Sequence, residues 1–318
     1  MPSLHGQRRT LASGIGVLHF LEPVTKVPNS AQNPKLRKVA KMAKNDSPPD
    51  RYALVGHPVD HSRSPLIHTL FARQTHQNLT YELIDAEPKD FETAVRGFAA
   101  AGGRGVNVTV PHKEAAFALV DETSEPANAA GAVNTISFRG GRLRGDNTDG
   151  VGLIRDLTVN EHVALAGRRV LVLGAGGAAR GIVGPLLASQ PAELVVANRT
   201  KQRADDLVAQ FHSPAGVSTA AFDELAKLAP FDVLVNATSA GLKGEAPPFP
   251  GSLVGEGSIC YDLVYSLKDT PFVAWAREHG AARALQGWGM LIEQAAEAFF
   301  IWRGVRPETR PLLQQLGR

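Results

Sequence analysis

Two groups of residues in this chain have the types and spacing to do chemistry. The first is Gly174-Ala175-Gly176-Gly177-Ala178-Ala179, a Gly-x-Gly-x-x-Ala run that follows the apolar stretch Val170 to Leu173 and precedes a helical stretch. Gly174 permits a tight turn and Gly176 lets the backbone approach a pyrophosphate. The unpaired amides and positive dipole end of the following helix favour an anion. Alone, such a run also fits any glycine-rich strand-to-helix turn; its strand, its helix and a second strand about 20 residues on point to a dinucleotide. The tip of that second strand selects the cofactor. An NAD site carries an Asp or Glu there for the ribose 2′-hydroxyl, and that carboxylate repels a 2′-phosphate. Here the chain reads Asn198-Arg199-Thr200, with Arg203 one helical turn beyond Arg199. Two guanidiniums, an amide and a hydroxyl suit a 2′-phosphate, so the expected cofactor is NADP(H). The plainer alternative is that both arginines are solvated cations on a helix surface.

The second group lies near the ends of short strands in the first half of the chain. It comprises Ser62 and Ser64 in His-Ser-Arg-Ser-Pro, Asn107, Thr109 and Lys113 in Asn-Val-Thr-Val-Pro-His-Lys, Asn134 in Ala-Val-Asn-Thr, and Asp149 in Asp-Asn-Thr-Asp-Gly. Each has a modest reading by itself. Ser64 before a proline can cap a helix, Asn134 can brace a turn, and a Lys and an Asp can form a surface pair worth about 0 to 1 kcal/mol. No metal site is expected, because His57, His61, His68 and His112 are scattered through different elements. The single cysteine, Cys260, excludes an intrachain disulfide, fits a reducing cytosol and sits in an apparent strand.

The elements that must position these groups alternate between strands and helices. From Tyr52 come strand 52–56, helix Pro65 to Gln74, strand Tyr81 to Asp85, helix Asp90 to Ala101 and strand Gly105 to Val110. A strand Ala132 to Phe138, a Gly140-Gly141 hairpin signal and a helix Val151 to Leu157 follow. The second series runs through the glycine turn, strand Glu193 to Ala197, helix Lys201 to Phe211, strands Val233 to Asn236 and Ile259 to Val264, and a helix from Pro271 to Gly280. It describes a doubly wound parallel sheet. Met290 to Trp302 has helical spacing and is expected to return to the first domain. The expected divisions are an extension over 1–50, a substrate-binding catalytic domain over 51–154, a nucleotide-binding domain over 155–286 and C-terminal helices over 287–318.

Bulk composition sets limits on this reading. The 318 residues, 43% hydrophobic and 20% charged, are those of an ordinary globular protein of two domains. No apolar run reaches the roughly 18 residues of a membrane span. The pI of about 9.0 suggests nucleic acid until the charge is located. Residues 1–50 hold eight Lys or Arg against three acids; removing them from the totals of 34 and 31 leaves 26 basic and 28 acidic residues in the body. A nucleic-acid role would rest on the leader, which has no recognisable module.

The Ser-x-Ser-Pro, Asn-Val-Thr-Val-Pro-x-Lys, Ala-Val-Asn-Thr and Asn-Thr-Asp-Gly segments, in that order and ahead of a nucleotide fold, resemble the shikimate dehydrogenase family. The resemblance runs from Tyr52 to Gly287-Trp288-Gly289-Met290-Leu291 and Glu293-Gln294-Ala295-Ala296, about five-sixths of the chain. It implies a cytoplasmic NADP-dependent oxidoreductase with a Rossmann domain, reducing 3-dehydroshikimate to shikimate in aromatic amino acid (chorismate) biosynthesis, as a monomer or homodimer. Lys113 and Asp149 would be the catalytic pair. Ser62 and Ser64 would hold the substrate carboxylate, while Thr109, Lys113, Asn134, Asp149 and Gln294 would surround the ring hydroxyls, with Tyr265 beside the substrate. Gly174, Ala175, Gly176, Gly177, Ala178, Asn198, Arg199, Thr200, Arg203, Thr238, Leu263 and Gly287 would contact the cofactor, with Ser239 in the same loop as Thr238. Gln286 departs from the pattern, where an Asp is expected in many relatives. A carboxylate beside Lys113 favours its ammonium form, which suits a general acid in the reducing direction. Two alternatives stand beside this reading: a quinate/shikimate dehydrogenase with broader substrate or cofactor use, and a non-catalytic NADPH-binding sensor.

The leader has no sustained period and ends in Asn-Asp-Ser-Pro-Pro-Asp. It is expected to be a misassigned start, with Met42 as an in-frame candidate, or a mitochondrial-type presequence. Deleting residues 1–41 should leave melting temperature and turnover nearly unchanged; a large loss in either shows that the leader packs on the body.

Overall fold

Val170 to Leu173 and Leu194 to Ala197 are buried on both faces, a condition met by a parallel sheet covered on each side by helices. The computed structural model describes residues 47–211, 216–238 and 249–316, and places these runs at the centre of such a sheet. The leader through residue 46 and Ser239 lie outside the described residues.

The chain first builds β1 (Asp50–Gly56), α1 (Ser64–Gln74), β2 (Leu79–Asp85), α2 (Phe91–Ala100), β3 (Gly103–Val108), α3 (Lys113–Leu119), β4 (Glu122–Thr123), α4 (Glu125–Ala130), β5 (Thr135–Arg139) and β6 (Arg142–Asp146). These strands form a six-stranded sheet in the order β2-β1-β3-β5-β6-β4. β1 runs parallel to β2 and β3, whereas β5 is antiparallel to β3 and β6. α5 (Asp149–Arg155) then loosens into a π-helical turn, Asp156–Asn160, before the second sheet.

That sheet is wholly parallel, in the order β12-β11-β10-β7-β8-β9. Its strands are β7 (Arg169–Leu173), β8 (Glu193–Asn198), β9 (Val217–Ala221), β10 (Phe231–Asn236), β11 (Val254–Asp262) and β12 (Arg283–Gln286). Its helices are α6 (Gly177–Ala188), α7 (Lys201–Ala209) and α8 (Pro271–Glu278). α9 (Trp288–Arg303) and α10 (Arg310–Leu316) complete the chain. The reversal of strand order about β7 is the switch point at which such sheets hold their ligands.

α9 returns to the first sheet. Ile292, Ala295, Ala296 and Phe299 join Ile67, Phe71 and Ala72 of α1 in one buried cluster, and Trp302 stacks on Tyr52 with centroids 4.6 Å apart. Asp50, placed by sequence in the extension, belongs instead to β1. Its carboxylate takes Arg303 Nη1 at 2.5 Å and Arg104 Nε at 3.0 Å, and the Arg303 hydrogen bond holds it below the usual carboxylate range. Several expected boundaries also move. The strand expected over Ala132 to Phe138 starts at Thr135, and the one expected to end at Val110 stops at Val108, since Pro111 has no amide to extend a ladder. The helix expected from Val151 starts at Asp149, and the last long strand of the second sheet ends at Asp262 rather than Val264.

The start of α9 is fastened to β11 and the π turn. Tyr261 donates to Asp156 Oδ2 at 2.6 Å and accepts from the Met290 amide at 3.2 Å. Burial pushes both the Asp156 carboxyl and the Tyr261 phenol up. A Cβ at Gly289 would overlap the Asp156 carboxylate, whereas one at Gly97, in α2, meets open space. Gly289→Ala is therefore expected to lower the urea midpoint, by about 1 to 3 kcal/mol of stability. Gly97→Ala should raise it, by about 0.4 to 1 kcal/mol. Equal shifts in the two variants would contradict the packing described here.

Candidate active site

Lys113 opens α3 and Asp149 opens α5, so each is set by the strand end before it. Lys113 Nζ lies 2.5 Å from Asp149 Oδ2, with the lysine side chain 14% and the aspartate side chain 5% exposed. Asp149 Oδ1 accepts from Asn134 Nδ2 at 2.8 Å, and the Asp149 amide donates to Asn147 Oδ1 at 3.1 Å. Asn134 uses its full bonding capacity inside the protein. Its nitrogen donates to Asp149 and to Thr148 Oγ1, and its oxygen accepts from the Thr148 amide and from Thr135 Oγ1.

Glycines let the two halves approach at this point. A Cβ at Gly150 would overlap Pro185, and one at Gly181 would lie 2.8 Å from Asn147 Oδ1 and 3.0 Å from Asp149 Cβ. α5 and α6 therefore cross with their backbones close, and Asp149 sits against the helix that begins at the glycine turn. A Cβ at Gly177 would be 3.1 Å from Lys113 Cβ. The proposed proton donor and the proposed pyrophosphate turn are in contact.

The other expected substrate residues surround the pair unevenly. Ser62 and Ser64 are 3.2 Å apart through their hydroxyls, at the start of α1. Tyr265 reaches them from the second sheet, its hydroxyl held by the Ser62 side chain and the Arg63 backbone, while burial still pushes that phenol up. Thr109 follows β3 directly; its amide donates to Val55 O at 2.9 Å and its methyl closes over Gly56. Gln294, on α9, takes the Thr148 hydroxyl at 3.3 Å and donates to Leu291 O at 2.9 Å.

On the cofactor side, Gly174 adopts φ +110°, a region that favours glycine, and its absent side chain leaves room for Ala237 O. Gly176 and Gly177 begin α6, and a Cβ at Gly176 would meet no atom within 4 Å, which leaves an open cradle above the helix start. Ala175 is buried beneath it and Ala178 is half-buried. Asn198 Nδ2 donates to Thr200 O at 2.9 Å, shaping the β8 turn. Arg199 and Arg203 are exposed, and among the described residues neither enters an ion pair. Exposed, unpaired guanidiniums beside an open cradle fit a nucleotide bearing an extra phosphate. Thr238 donates to Asn236 Oδ1 at 2.7 Å, and the Leu263 amide donates to Asn236 O at 2.9 Å. Gly287 is required because a side chain there would overlap Leu263 O. Gln286, the departure from the family pattern, braces the neighbouring loop by accepting from the Ser266 amide at 2.7 Å and donating to Lys268 O at 3.1 Å. Among the described residues no group of three or more His, Cys, Asp or Glu could hold a metal, and no helix is long and apolar enough to cross a membrane.

Sequence reasoning passed over Tyr81 and Thr135 and gave no role to Asn147 or Thr148. Tyr81 was open to detection: it is buried in β2 beside the exposed Thr80, and a buried phenol needs a partner.

Three family models match: the shikimate dehydrogenase substrate binding domain over residues 54–136, shikimate / quinate 5-dehydrogenase over 156–243 and the shikimate 5'-dehydrogenase C-terminal domain over 287–316. The shikimate dehydrogenase (NADP(+)) of Alkalilimnicola ehrlichii is 56% identical over 267 residues, which cover 84% of this chain and 98% of that protein. Among solved structures, an Ael1 enzyme from Pseudomonas putida superposes with a TM-score of 0.77 at 46% identity, covering 85% of this chain and 98% of that one. The shikimate 5-dehydrogenase of Thermus thermophilus, solved with NADP(H) and shikimate, gives 0.73 at 35% identity, covering 83% and 97%. With its two sheets, its glycine turn against Lys113 and relatives matched over nearly their full length, the chain belongs to the shikimate dehydrogenase family.

Proposed function

We propose that the chain catalyses the reversible NADPH-dependent reduction of 3-dehydroshikimate to shikimate, a step of chorismate biosynthesis. The observation that carries this reading is the Lys113–Asp149 contact lying directly against the glycine turn. In this reading Gly174, Ala175, Gly176, Gly177 and Ala178 hold the pyrophosphate and Asn198, Arg199, Thr200 and Arg203 the 2′-phosphate. Thr238, Leu263 and Gly287 border the nicotinamide end. NADPH supplies the hydride to the ring ketone. The Lys113 ammonium donates the proton at the carbonyl oxygen and stabilises the negative charge that builds there. Asp149 holds the Lys113 side chain in place and offers its carboxylate to a ring hydroxyl. Ser62, Ser64 and Tyr265 grip the ring carboxylate through hydroxyl donors, while Thr109, Asn134 and Gln294 bound the ring. In the oxidising direction neutral Lys113 accepts the alcohol proton. The enzyme is taken to be cytoplasmic, monomeric or homodimeric, without nucleic-acid or membrane partners; the near-balanced charge of its body argues against a nucleic-acid partner.

Lys113→Ala should lower kcat by roughly 10²- to 10⁴-fold with a much smaller change in the KM for shikimate. Asp149→Asn should do comparable damage while NADPH affinity holds. Near-normal turnover in both variants, measured as NADP+ reduction with shikimate, removes the pair from the mechanism.

Arg199→Ala should weaken NADP+ binding by roughly ten- to a hundredfold, since a hydrogen bond to a charged group contributes about 1.5 to 3 kcal/mol. NAD+ has no phosphate there and should be little affected. Arg199→Asp should invert the preference, because its carboxylate repels the 2′-phosphate and accepts from a free ribose hydroxyl. kcat/KM with each cofactor, for shikimate and quinate in parallel, decides the point. A wild type that prefers NAD+, or variants that lose both cofactors equally, would show that no 2′-phosphate pocket exists here.

A further inference from the structure

We infer that Tyr81, Asn107, Thr135 and Asn134 form a one-way hydrogen-bond relay that positions Asp149, making Thr135 and Tyr81 positioning residues for the reaction. The inference rests on the proposed role of Lys113 and Asp149 as the reacting pair.

The direction of the relay follows from one backbone amide. The Thr148 N–H can only donate, and it lies 2.9 Å from Asn134 Oδ1. That atom of the Asn134 amide is therefore the oxygen, and Nδ2 must face Asp149 Oδ1, 2.8 Å away. Thr135 Oγ1 lies 3.0 Å from the same Asn134 oxygen, so its single proton points there. Having given up that proton, Thr135 can only accept from Asn107, whose Nδ2 lies 3.0 Å away. Asn107 Oδ1 is thereby turned toward Tyr81, whose hydroxyl donates to it at 2.7 Å. Every donor from Tyr81 onward thus points toward the Asp149 carboxylate, an arrangement in which each bond polarises the next.

The surroundings prevent the relay from reversing. Asn107 and Thr135 are directly opposed across the β3–β5 ladder, so the sheet register fixes their separation. Thr135 is fully buried, and Asn107 and Asn134 are nearly so. Burial pushes the Tyr81 phenol well up, so it stays protonated and able to donate. The ring stacks on His68 with centroids 4.2 Å apart and planes 7° apart. Burial also pushes the His68 imidazole down to about 3, so a neutral ring backs the phenol. The Ser64 hydroxyl is a further neighbour of the Tyr81 oxygen, which connects the relay to the serines proposed to grip the substrate carboxylate. Both ends of the proposed substrate are thereby referred to one rigid line of side chains.

The test is a double-mutant cycle between Thr135→Val and Asp149→Asn, with Thr135→Ser as the conservative variant. Thr135→Val keeps the side-chain shape and loses the hydroxyl; it should lower kcat about tenfold and leave the Kd for NADPH within about twofold. Thr135→Ser should recover most of that loss. In the Asp149→Asn background Thr135→Val should change kcat by less than about twofold, because the group it positions is gone. The urea midpoints of the same four proteins should likewise be non-additive, a readout that does not depend on the substrate. Tyr81→Phe, at the far end of the relay, should show the same coupling to Asp149→Asn and serves if Thr135→Val does not fold. Wild-type turnover in Thr135→Val, or equal losses with and without Asp149 in both kcat and midpoint, overturns the relay. A wild type without shikimate oxidation overturns the functional reading instead, while the midpoint cycle still decides the relay.

Discussion

A carboxylate whose side chain is only 5% exposed, that of Asp149, sets the terms for the rest of this molecule. Removing a charge from water costs several kcal/mol unless bonds replace the lost hydration. Asp149 meets that demand with an ammonium on one oxygen and an amide on the other. The amide must itself be held, so Thr148 and Thr135 are drawn in, and Thr135 in turn requires Asn107. β5 alone runs against an otherwise parallel sheet and brings these polar groups to one place, since Thr135 pairs with Asn107 on one side and Asp146 on the other.

The same residue dictates the meeting of the two sheets. A helix opening with Asp149 has to lie against the helix opening at the glycine turn, or the proposed reacting pair and the glycine turn would be separated by a layer of side chains. Gly150 and Gly181 remove that layer. The apolar remainder of both helices then supplies cohesion: Leu153 and Leu157 share one buried cluster with Ala179, Ile182, Val183 and Leu186. Packing of that kind is rigid, so a shift at the crossing is felt at Lys113.

Much of this was legible in the sequence because the readable features are local. The parallel sheet announces itself through Val170 to Leu173 and the glycines that follow, and the proposed 2′-phosphate contact through Arg199 at the next strand tip. The proposed site residues Ser62, Ser64, Lys113, Asn134 and Asp149 stand in short motifs with recognisable order. What escaped reading depends on register. Thr135 reads as one more β-branched strand residue, and its importance comes from standing opposite Asn107, a partner 28 positions away in sequence. The strand boundaries at Val108 and Thr135 moved for a similar reason, because pairing across the sheet decides where a strand ends. Asp50 reads in sequence as the end of a leader, and its place in the body depends on Arg303, from the far end of the chain.

That last contact bears on how the molecule is made. The parallel sheet is built from one unbroken stretch of sequence and has its own interior. The mixed sheet has a local interior on one face only, where Ala53, Val55, Val106 and Ile136 pack with Phe91 and Val95; the cluster that covers Ile67 and Phe71 is completed by Ile292 and Phe299 of α9. During synthesis α1 must therefore stay uncovered until nearly the whole polypeptide has left the ribosome. Loop closure over that separation is slow compared with forming local strands and helices. α1, the first helix of the body to be made, is thus among the last to be buried.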